Sequence, residues 1–122
     1  MIIIKGHIPA KSNCYRITYN VRKKYYQLTK KQVLRDYEQL FSIQIPSKVK
    51  NSMISKKFAL DVKVYFKTRA SDLDNSFKIL LDILQAEGVI KNDNLCYQIN
   101  AEKFVDKNDP RIEFNLWEYK EV

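Results

Sequence analysis

The most constraining feature of this sequence is the strict alternation of apolar and polar residues from Phe58 to Thr68. The apolar positions of this stretch are Phe58, Leu60, Val62, Val64 and Phe66, and the positions between them include Asp61, Lys63, Tyr65 and Lys67. A repeat of two residues matches a β-strand and does not match a helix. The alternation therefore predicts a strand with one buried face, which needs other elements of the chain to cover it.

Two other stretches have the apolar spacing of helices. The segment Thr29-Lys30-Lys31-Gln32 fits a capping box, so we expect the first helix to start at Thr29 and to be interrupted at Pro46. Its predicted apolar face consists of Val33, Leu34, Tyr37, Leu40 and Phe41. The second helix is predicted to have Asp74 as its N-cap and Gly88 at the left-handed position after its end. Its apolar face consists of Phe77, Leu80, Leu81 and Leu84.

The remaining strands are predicted from β-branched and aromatic residues bounded by turn residues. These segments are Ile2–Ile8, Cys14–Tyr19, Lys23–Leu28, Tyr97–Val105 and Ile112–Tyr119. Pro9 ends the first of them, and a turn from Asp106 to Pro110 joins the last two. The second and third segments predict a hairpin in which basic side chains alternate with tyrosines, a composition suited to binding phosphates and bases.

Length and charge indicate one domain with a polyanionic partner. The 122 residues suit a single domain over residues 1–122. Lysine and arginine total 22 against 14 aspartates and glutamates, which gives a net charge of +8. Such a charge favours nucleic acid as the partner, with an acidic membrane surface as the weaker alternative.

The scarcity of glycine, histidine and cysteine excludes several classes of protein. Two glycines, Gly6 and Gly88, cannot supply the clustered glycines of a nucleotide-cofactor site. A single histidine, His7, and two separated cysteines, Cys14 and Cys96, do not form a zinc site and suit a reducing cytoplasm. No apolar run has the length needed to span a membrane.

Three acids and one lysine could carry chemistry. Asp72 and Asp74 lie between the alternating strand and the second helix, and in an extended backbone their carboxylates would point the same way, about 7 Å apart. Asp93 could join them if the loop after Gly88 folds back. Carboxylates without histidine or thiolate suit Mg²⁺ or Mn²⁺. Lys78, four residues after Asp74, would share its helical face and could hold a phosphate.

Each of these residues also has a plain structural interpretation. The two acids could serve only as a helix cap and as partners of the helix dipole. Lys78 could form an exposed salt bridge with Asp74 or Asp82, and Asp93 could be an ordinary turn residue. Likewise, the hairpin tyrosines could lie over the core rather than contact a ligand.

Taken together, these residues resemble the signature of RusA-type Holliday junction resolvases, which are commonly prophage-encoded. The resembling positions are Asp72-Leu73-Asp74-Asn75, Lys78, Ala86-Glu87-Gly88 and Asp93, preceded by Ile8-Pro9-Ala10-Lys11-Ser12-Asn13. The sequence differs from the family pattern at Asn92, where a further acid is common, and at Arg69-Ala70-Ser71, where family members are richer in arginine.

The resemblance implies an α+β fold, with a mixed or antiparallel sheet and two main helices packed on it, and a homodimer. It further implies that Asp72, Asp74 and Asp93 bind Mg²⁺, that Lys78 contacts the phosphate as a catalytic residue, and that Asn75 assists. With the basic hairpin, the residues expected to bind DNA are Lys11, Asn13, Tyr15, Arg16, Arg22, Lys23, Lys24, Arg69 and Asn75.

The leading hypothesis is a Mg²⁺-dependent, structure-selective endonuclease that resolves four-way DNA junctions by paired symmetric nicks in recombination and repair. A dimer with two-fold symmetry would supply two identical sites for the two nicks. One alternative is a non-catalytic, basic nucleic-acid-binding module. The other is a protein-interaction adaptor in which the acids only cap a helix. The expected location is the cytoplasm of a bacterial or phage-infected cell.

Overall fold

The computed structural model describes residues 1–10 and 13–121 and contains two main helices and six strands. The strands are β1 (Ile2–Lys5), β2 (Tyr15–Asn20), β3 (Tyr25–Lys30), β4 (Phe58–Phe66), β5 (Cys96–Val105) and β6 (Arg111–Glu118). The helices are α1 (Gln32–Gln44) and α2 (Leu73–Ala86), and a short 3₁₀ turn covers Asp93–Leu95. The fold is therefore α+β, as the sequence analysis predicts.

Strand β4 is the centre of the fold. The main sheet has the order β1-β6-β4-β5, and β2 pairs with β3 in a separate antiparallel hairpin. Strand β4 pairs antiparallel with β6 and parallel with β5. The sheet is consequently mixed, and β5 and β6, which a turn connects in sequence, lie on opposite sides of β4.

The buried face of the sheet carries both helices. The apolar positions of β4 predicted from the alternation are all buried, and they share one core cluster with residues of α1 and α2. Helix α1 contributes Leu34, Tyr37 and Phe41, whereas Val33 and Leu40 remain exposed. Among the described residues, neither helix has the length and hydropathy that a membrane span requires.

Helix α2 presents a slightly different face from the predicted one. Its buried residues are Ser76, Ile79, Leu80, Ile83 and Leu84. Phe77 and Leu81, which the spacing places at the centre of the apolar face, pack at its margin and are half-buried. Apolar residues cover more than half of the circumference of α2, so the spacing alone does not decide which of them face the core. In the structure the centre of the buried face lies nearer to Ile79 and Ile83.

The predicted helix starts are wrong at both helices. Thr29 belongs to β3 opposite Arg16, and its hydroxyl lies 2.6 Å from that of Thr18, so the cross-strand pairing uses the residue expected to cap α1. Lys31 takes the N-cap position of α1 without a side-chain bond. At α2 the N-cap is Asp72 rather than Asp74, because Leu73 packs against the core as the first helical residue.

Strand β1 is shorter than predicted. It ends at Lys5 rather than Ile8, since Gly6 adopts a φ of 118° and its N–H donates to the carbonyl of Pro110 at 3.0 Å. This positive φ is outside the range of a strand residue. The chain therefore leaves the sheet three residues before Pro9.

The end of α2 is held by a glycine in the left-handed conformation, as predicted. Gly88 has a φ of 73° and donates to the carbonyl of Gln85 at 3.1 Å. The next residue, Val89, donates to the carbonyl of Leu84 at 2.9 Å. This pair of bonds is a Schellman motif. A Cβ atom at Gly88 would lie 2.8 Å from Oδ1 of Asn51.

Replacing this glycine tests the C-terminal cap. We expect Gly88→Ala to lower the free energy of unfolding by about 1–2 kcal/mol, because an L residue in the left-handed region is strained. Urea denaturation followed by circular dichroism measures the change. The single variant Asn51→Ala and the double variant Gly88→Ala, Asn51→Ala both lack the Asn51 side-chain oxygen, so a double-mutant cycle separates the contact with that oxygen from the backbone strain. An unchanged denaturation midpoint in Gly88→Ala would contradict the analysis.

Candidate active site at the start of helix α2

The two acids singled out by sequence lie at the end of the sheet where the parallel strands finish. Phe66, the last residue of β4, pairs with Val105, the last residue of β5. The chain leaves β4 there, forms a bend and begins α2 at Leu73. In sheets with parallel strands, the carboxyl ends of those strands are where ligands commonly bind.

Asp72 and Asp74 flank the first residue of α2 and are both exposed. Asp72 occupies the N-cap position with an extended backbone, but its carboxylate makes no capping hydrogen bond. Asp74 lies in the first turn, where a negative charge interacts favourably with the helix dipole. Neither carboxylate forms a salt bridge within the part of the chain that the structure describes. The oxygen atoms of both carboxylates are therefore accessible to a ligand.

A cavity of about 250 Å³ lies beside Asp72. Its lining residues come from the N-terminal segment, the end of β4 and the start of α2: Pro9, Ala10, Phe66, Ala70, Ser71, Asp72, Asn75 and Ser76. The Pro-Ala segment that contributes to the family resemblance thus forms one wall of the cavity. Asn75, predicted to assist the acids, lines the same space as Asp72.

A lysine that the sequence analysis did not single out holds the segment leading to Asp72. The ammonium group of Lys103, on β5, donates to the carbonyl of Arg69 at 2.7 Å and also to the carbonyl of Ser71. It also lies 5.7 Å from the centre of the Phe66 ring. No local sequence pattern reveals this contact, because it depends on the pairing of β5 with β4. Lys103 is the positioning residue of this segment.

Removing this ammonium group should loosen the segment before α2. We expect Lys103→Met to destabilise the protein by about 1 kcal/mol and to speed amide exchange at residues 70–73, since two carbonyls lose a charged donor. Hydrogen exchange measured by mass spectrometry checks this. Lys107→Met, at an exposed lysine in the next turn, is the control. Equal exchange in the two variants would show that Lys103 does not hold the segment.

Lys78 lies one helical turn beyond Asp74 and is exposed. Within the described residues it forms no salt bridge with Asp74 or Asp82, contrary to the structural alternative considered from sequence. The neighbouring Ser76 is buried, and its hydroxyl donates to the carbonyl of Leu73 at 2.5 Å. Lys78 is thus a cation on the same side of the helix as Asp74, and no acid of residues 1–10 or 13–121 forms a salt bridge with it.

Asp93 lies at the other end of α2 in the same chain. Its backbone N–H donates to the side chain of Gln85, in the last turn of the helix, at 3.1 Å. Gln85 follows Asp74 by eleven residues, a rise of about 16 Å along the helix. The loop after Gly88 therefore does not return Asp93 to the start of α2 within one chain. Asn92 accepts a hydrogen bond from the N–H of Asn94 at 3.0 Å and caps the 3₁₀ turn.

The described residues contain no group of three or more histidine, cysteine, aspartate or glutamate side chains close enough to hold a metal ion. The donor chemistry at the start of α2 nevertheless fits a hard divalent cation, because Asp72 and Asp74 provide oxygen ligands that form no salt bridge with any cation in the described part of the chain. Two carboxylates from one chain leave coordination positions for water and for a substrate phosphate. Asp72 and Asp74 are therefore the residues that would hold Mg²⁺ or Mn²⁺.

Two titratable groups lie behind the cavity wall, the half-buried His7 and the buried Cys14. Burial, with a smaller effect of Lys67, lowers the pKa of His7, whose ring meets that of Phe66 edge-on at 6.0 Å. Burial also raises the pKa of the Cys14 thiol, which donates to the carbonyl of Ala10 at 3.2 Å. Both residues support the wall formed by Pro9 and Ala10 and remain neutral near pH 7.

The residues predicted to bind DNA fall mainly on the hairpin. Arg16, Arg22, Lys23 and Lys24 are exposed there, whereas Tyr15 is half-buried against the core. Asn13 and Arg69 are exposed near the cavity. Lys11 lies outside the described residues.

A net charge of +8 and exposed acids at the carboxyl ends of the parallel strands are features that suit a protein acting on nucleic acid. Comparison with known proteins agrees and is more specific. The family described as "Endodeoxyribonuclease RusA" matches residues 9–116. Since this match includes most of the sequence, the chain belongs to the RusA endodeoxyribonuclease family, as the resemblance of its motifs predicts.

A curated relative is similar over a shorter stretch. It is the "Crossover junction endodeoxyribonuclease RusA" of Aquifex aeolicus (strain VF5), which is 31% identical over 65 residues. These residues make up 52% of this chain and 52% of the relative. The matched stretch thus spans about half of the relative's length.

Proposed function

We propose that this protein is a metal-dependent DNA endonuclease that resolves four-way junctions. The observation that carries the proposal is the group formed by Asp72, Asp74 and Lys78 at the start of α2, in a chain of the RusA family with an excess of positive charge. Acids exposed on a cationic protein repel a DNA backbone unless a cation neutralises them. Because the proposed substrate is DNA, we expect the protein to act in the cytoplasm of a bacterial or phage-infected cell.

Asp72 and Asp74 would bind Mg²⁺ or Mn²⁺ through their carboxylate oxygens. When bound, the ion supplies a Lewis acid for the phosphate and an activated water for hydrolysis. The chain's own contribution is to present the two acids at a fixed helix start, with Lys103 holding the preceding segment. The cavity next to Asp72 gives the site a wall of main chain and small side chains on one side.

The remaining groups at this helix start suit a phosphate. The first turn of α2 has backbone N–H groups without helical partners, which attract anions. Lys78 adds an ammonium group one turn further, where it can bind the phosphate and stabilise charge that develops on the departing oxygen. Asn75 can donate its amide to the same phosphate from the wall of the cavity. These groups would orient the scissile bond toward the acids.

We infer that Asp93 joins the site from a second copy of the chain. In one chain Asp93 lies beyond the end of α2, so it cannot complete the acids at the start of that helix. In a dimer with two-fold symmetry, two α2 helices that meet antiparallel would bring the end of each helix to the start of the other. Each dimer then has two composite sites, which matches the two nicks needed to resolve a junction.

The role of the acids is tested by removing their charge. We expect Asp72→Asn and Asp74→Asn each to reduce nicking of a four-way junction at least about a hundredfold, because oxygen ligands with full charge are lost. Binding of the junction in chelator should remain within about threefold of the unchanged protein. Asp82→Asn, at an exposed aspartate further along α2, is the matched control. A nicking rate of Asp72→Asn equal to that of the unaltered protein would contradict the proposed active site.

The composite site predicts complementation between two inactive variants. Asp72→Asn and Asp93→Asn, each inactive alone, should recover about a quarter of the nicking rate after mixing and subunit exchange, because half of the dimers then contain one intact site. Copurification of differently tagged chains verifies exchange. If every site were formed within one chain, the exchanged mixture would stay inactive.

The second candidate function is a non-catalytic nucleic-acid-binding module. The exposed basic residues of the hairpin favour it, since they could hold phosphates without any metal. This alternative predicts binding that divalent ions do not affect and no nicked product from any branched DNA. Incubation of four-way, Y-shaped and linear DNA with Mg²⁺ or with chelator separates the two functions.

A further inference from the structure

The β2–β3 hairpin has an outward face of unusual composition. Its register places Ile17 opposite Leu28 and Tyr19 opposite Tyr26. Residues directly opposite each other on antiparallel strands share a face. Their exposed fractions are 72% for Ile17, 71% for Leu28, 50% for Tyr19 and 73% for Tyr26. We call these four side chains the outer hairpin face.

The opposite face of the hairpin carries polar side chains that bond to each other across the two strands. Thr18 contacts Thr29 at 2.6 Å, and the amide of Asn20 donates to Gln27 at 3.5 Å. All four of these residues are half-buried, whereas the outer hairpin face is exposed. An antiparallel strand pair that covers a core packs its apolar side against that core, whereas the outer hairpin face is exposed. The outer hairpin face is therefore not used by the fold of the single chain.

The charge around this face identifies its partner. Residues 15–31 contain six cations and no acid: Arg16, Arg22, Lys23, Lys24, Lys30 and Lys31. Only Lys30 among them forms a salt bridge within the described residues, with Glu38 of α1 at 2.8 Å. Two copies of this hairpin facing each other would bring like charges together. A polyanion with apolar surfaces satisfies both the charge and the outer hairpin face.

DNA has such apolar surfaces where its stacking is interrupted. Base faces are covered inside a linear duplex but can be exposed at a branch point, and tyrosine rings stack on them. Aliphatic side chains such as isoleucine and leucine also enter between partly unstacked bases in other DNA-binding proteins. The tilted Tyr19 and Tyr26 rings, with centres 5.0 Å apart, form a continuous surface with the aliphatic pair beside them.

The hairpin is also connected to the candidate active site. Cys14, directly before β2, bonds to Ala10 in the wall of the cavity beside Asp72, and Lys31 donates to the carbonyl of Cys14 at 2.7 Å. The base of the hairpin is thus anchored next to that wall, and its basic turn extends away from it. DNA seated on the hairpin can in this way be presented to the cavity.

We propose that the outer hairpin face binds the bases exposed at a DNA branch point, while the surrounding cations hold the flanking phosphates. This inference rests on the proposed function for its substrate. It assigns the preference for branched over linear DNA to Ile17, Tyr19, Tyr26 and Leu28, and general affinity to the cations. The two contributions can be separated, because only the second depends strongly on salt.

The test removes apolar surface without changing charge. The paired variant Ile17→Ser, Leu28→Ser and the single variant Tyr26→Ser are compared with Ile43→Ser and Tyr97→Ser, which alter exposed residues elsewhere. Binding is measured in chelator by fluorescence anisotropy with a four-way junction and with a linear duplex, whose ends carry the same closing loops so that the two DNAs differ at the branch point. Circular dichroism confirms that each variant keeps its fold.

We expect the hairpin variants to bind the junction about tenfold more weakly, the effect of losing one stacked base. Duplex affinity should stay within about twofold, and the dependence of junction binding on salt should not change. A 2-aminopurine at the branch point should change its emission with the unaltered protein and less with the hairpin variants. The control variants should behave like the unaltered protein.

Three outcomes would overturn the inference. These are unchanged junction affinity, equal losses on junction and duplex, and conversion of a dimer to a monomer by the hairpin variants, which would make the face a contact between copies. Nicking with Mg²⁺ is measured in parallel on the unaltered protein. Absence of nicks would reject the proposed endonuclease, while the comparison of junction with duplex binding would still decide whether the hairpin recognises branched DNA.

Discussion

The parallel pairing of β4 with β5 is the constraint on which the rest of the structure depends. A parallel pair requires a connection that returns the chain to the end of the sheet where the first strand began, and α2 with its following loop is that connection. Asp72 and Asp74 are therefore placed where both strands end. The same connection carries Asp93 to the opposite end of α2, which is why we propose that Asp93 reaches the site from a second chain.

Much of the fold can be predicted from the sequence because the relevant signals are local. Such signals are the alternation in β4, the helical spacing in α1 and α2, and Gly88 at the end of α2. Each depends only on a single element and on which of its sides is buried. The helix starts are less predictable. Thr29 is an equally good residue for a cap and for a strand, and its cross-strand partner Arg16 is decided by the turn that joins β2 to β3.

The candidate site is predictable in its residues but only partly in its arrangement. The spacing of Asp72, Asp74 and Lys78 follows directly from the start of a helix, and the structure places them together there. The position of Asp93 depends on the direction of β5 relative to β4, which no local pattern contains. The role of Lys103 cannot be predicted from the sequence for the same reason, because its contact with the segment before Asp72 depends on the pairing of β5 with β4.

The contact made by Lys103 has a consequence for how this sequence can vary. An edge strand such as β5 normally accepts many substitutions, because half of its backbone and most of its side chains face water. At this one position, however, the strand supports the main chain leading into the acids. Substitution at this edge position is therefore restrained by the proposed site on a different element, and we expect the lysine to persist wherever the acids do.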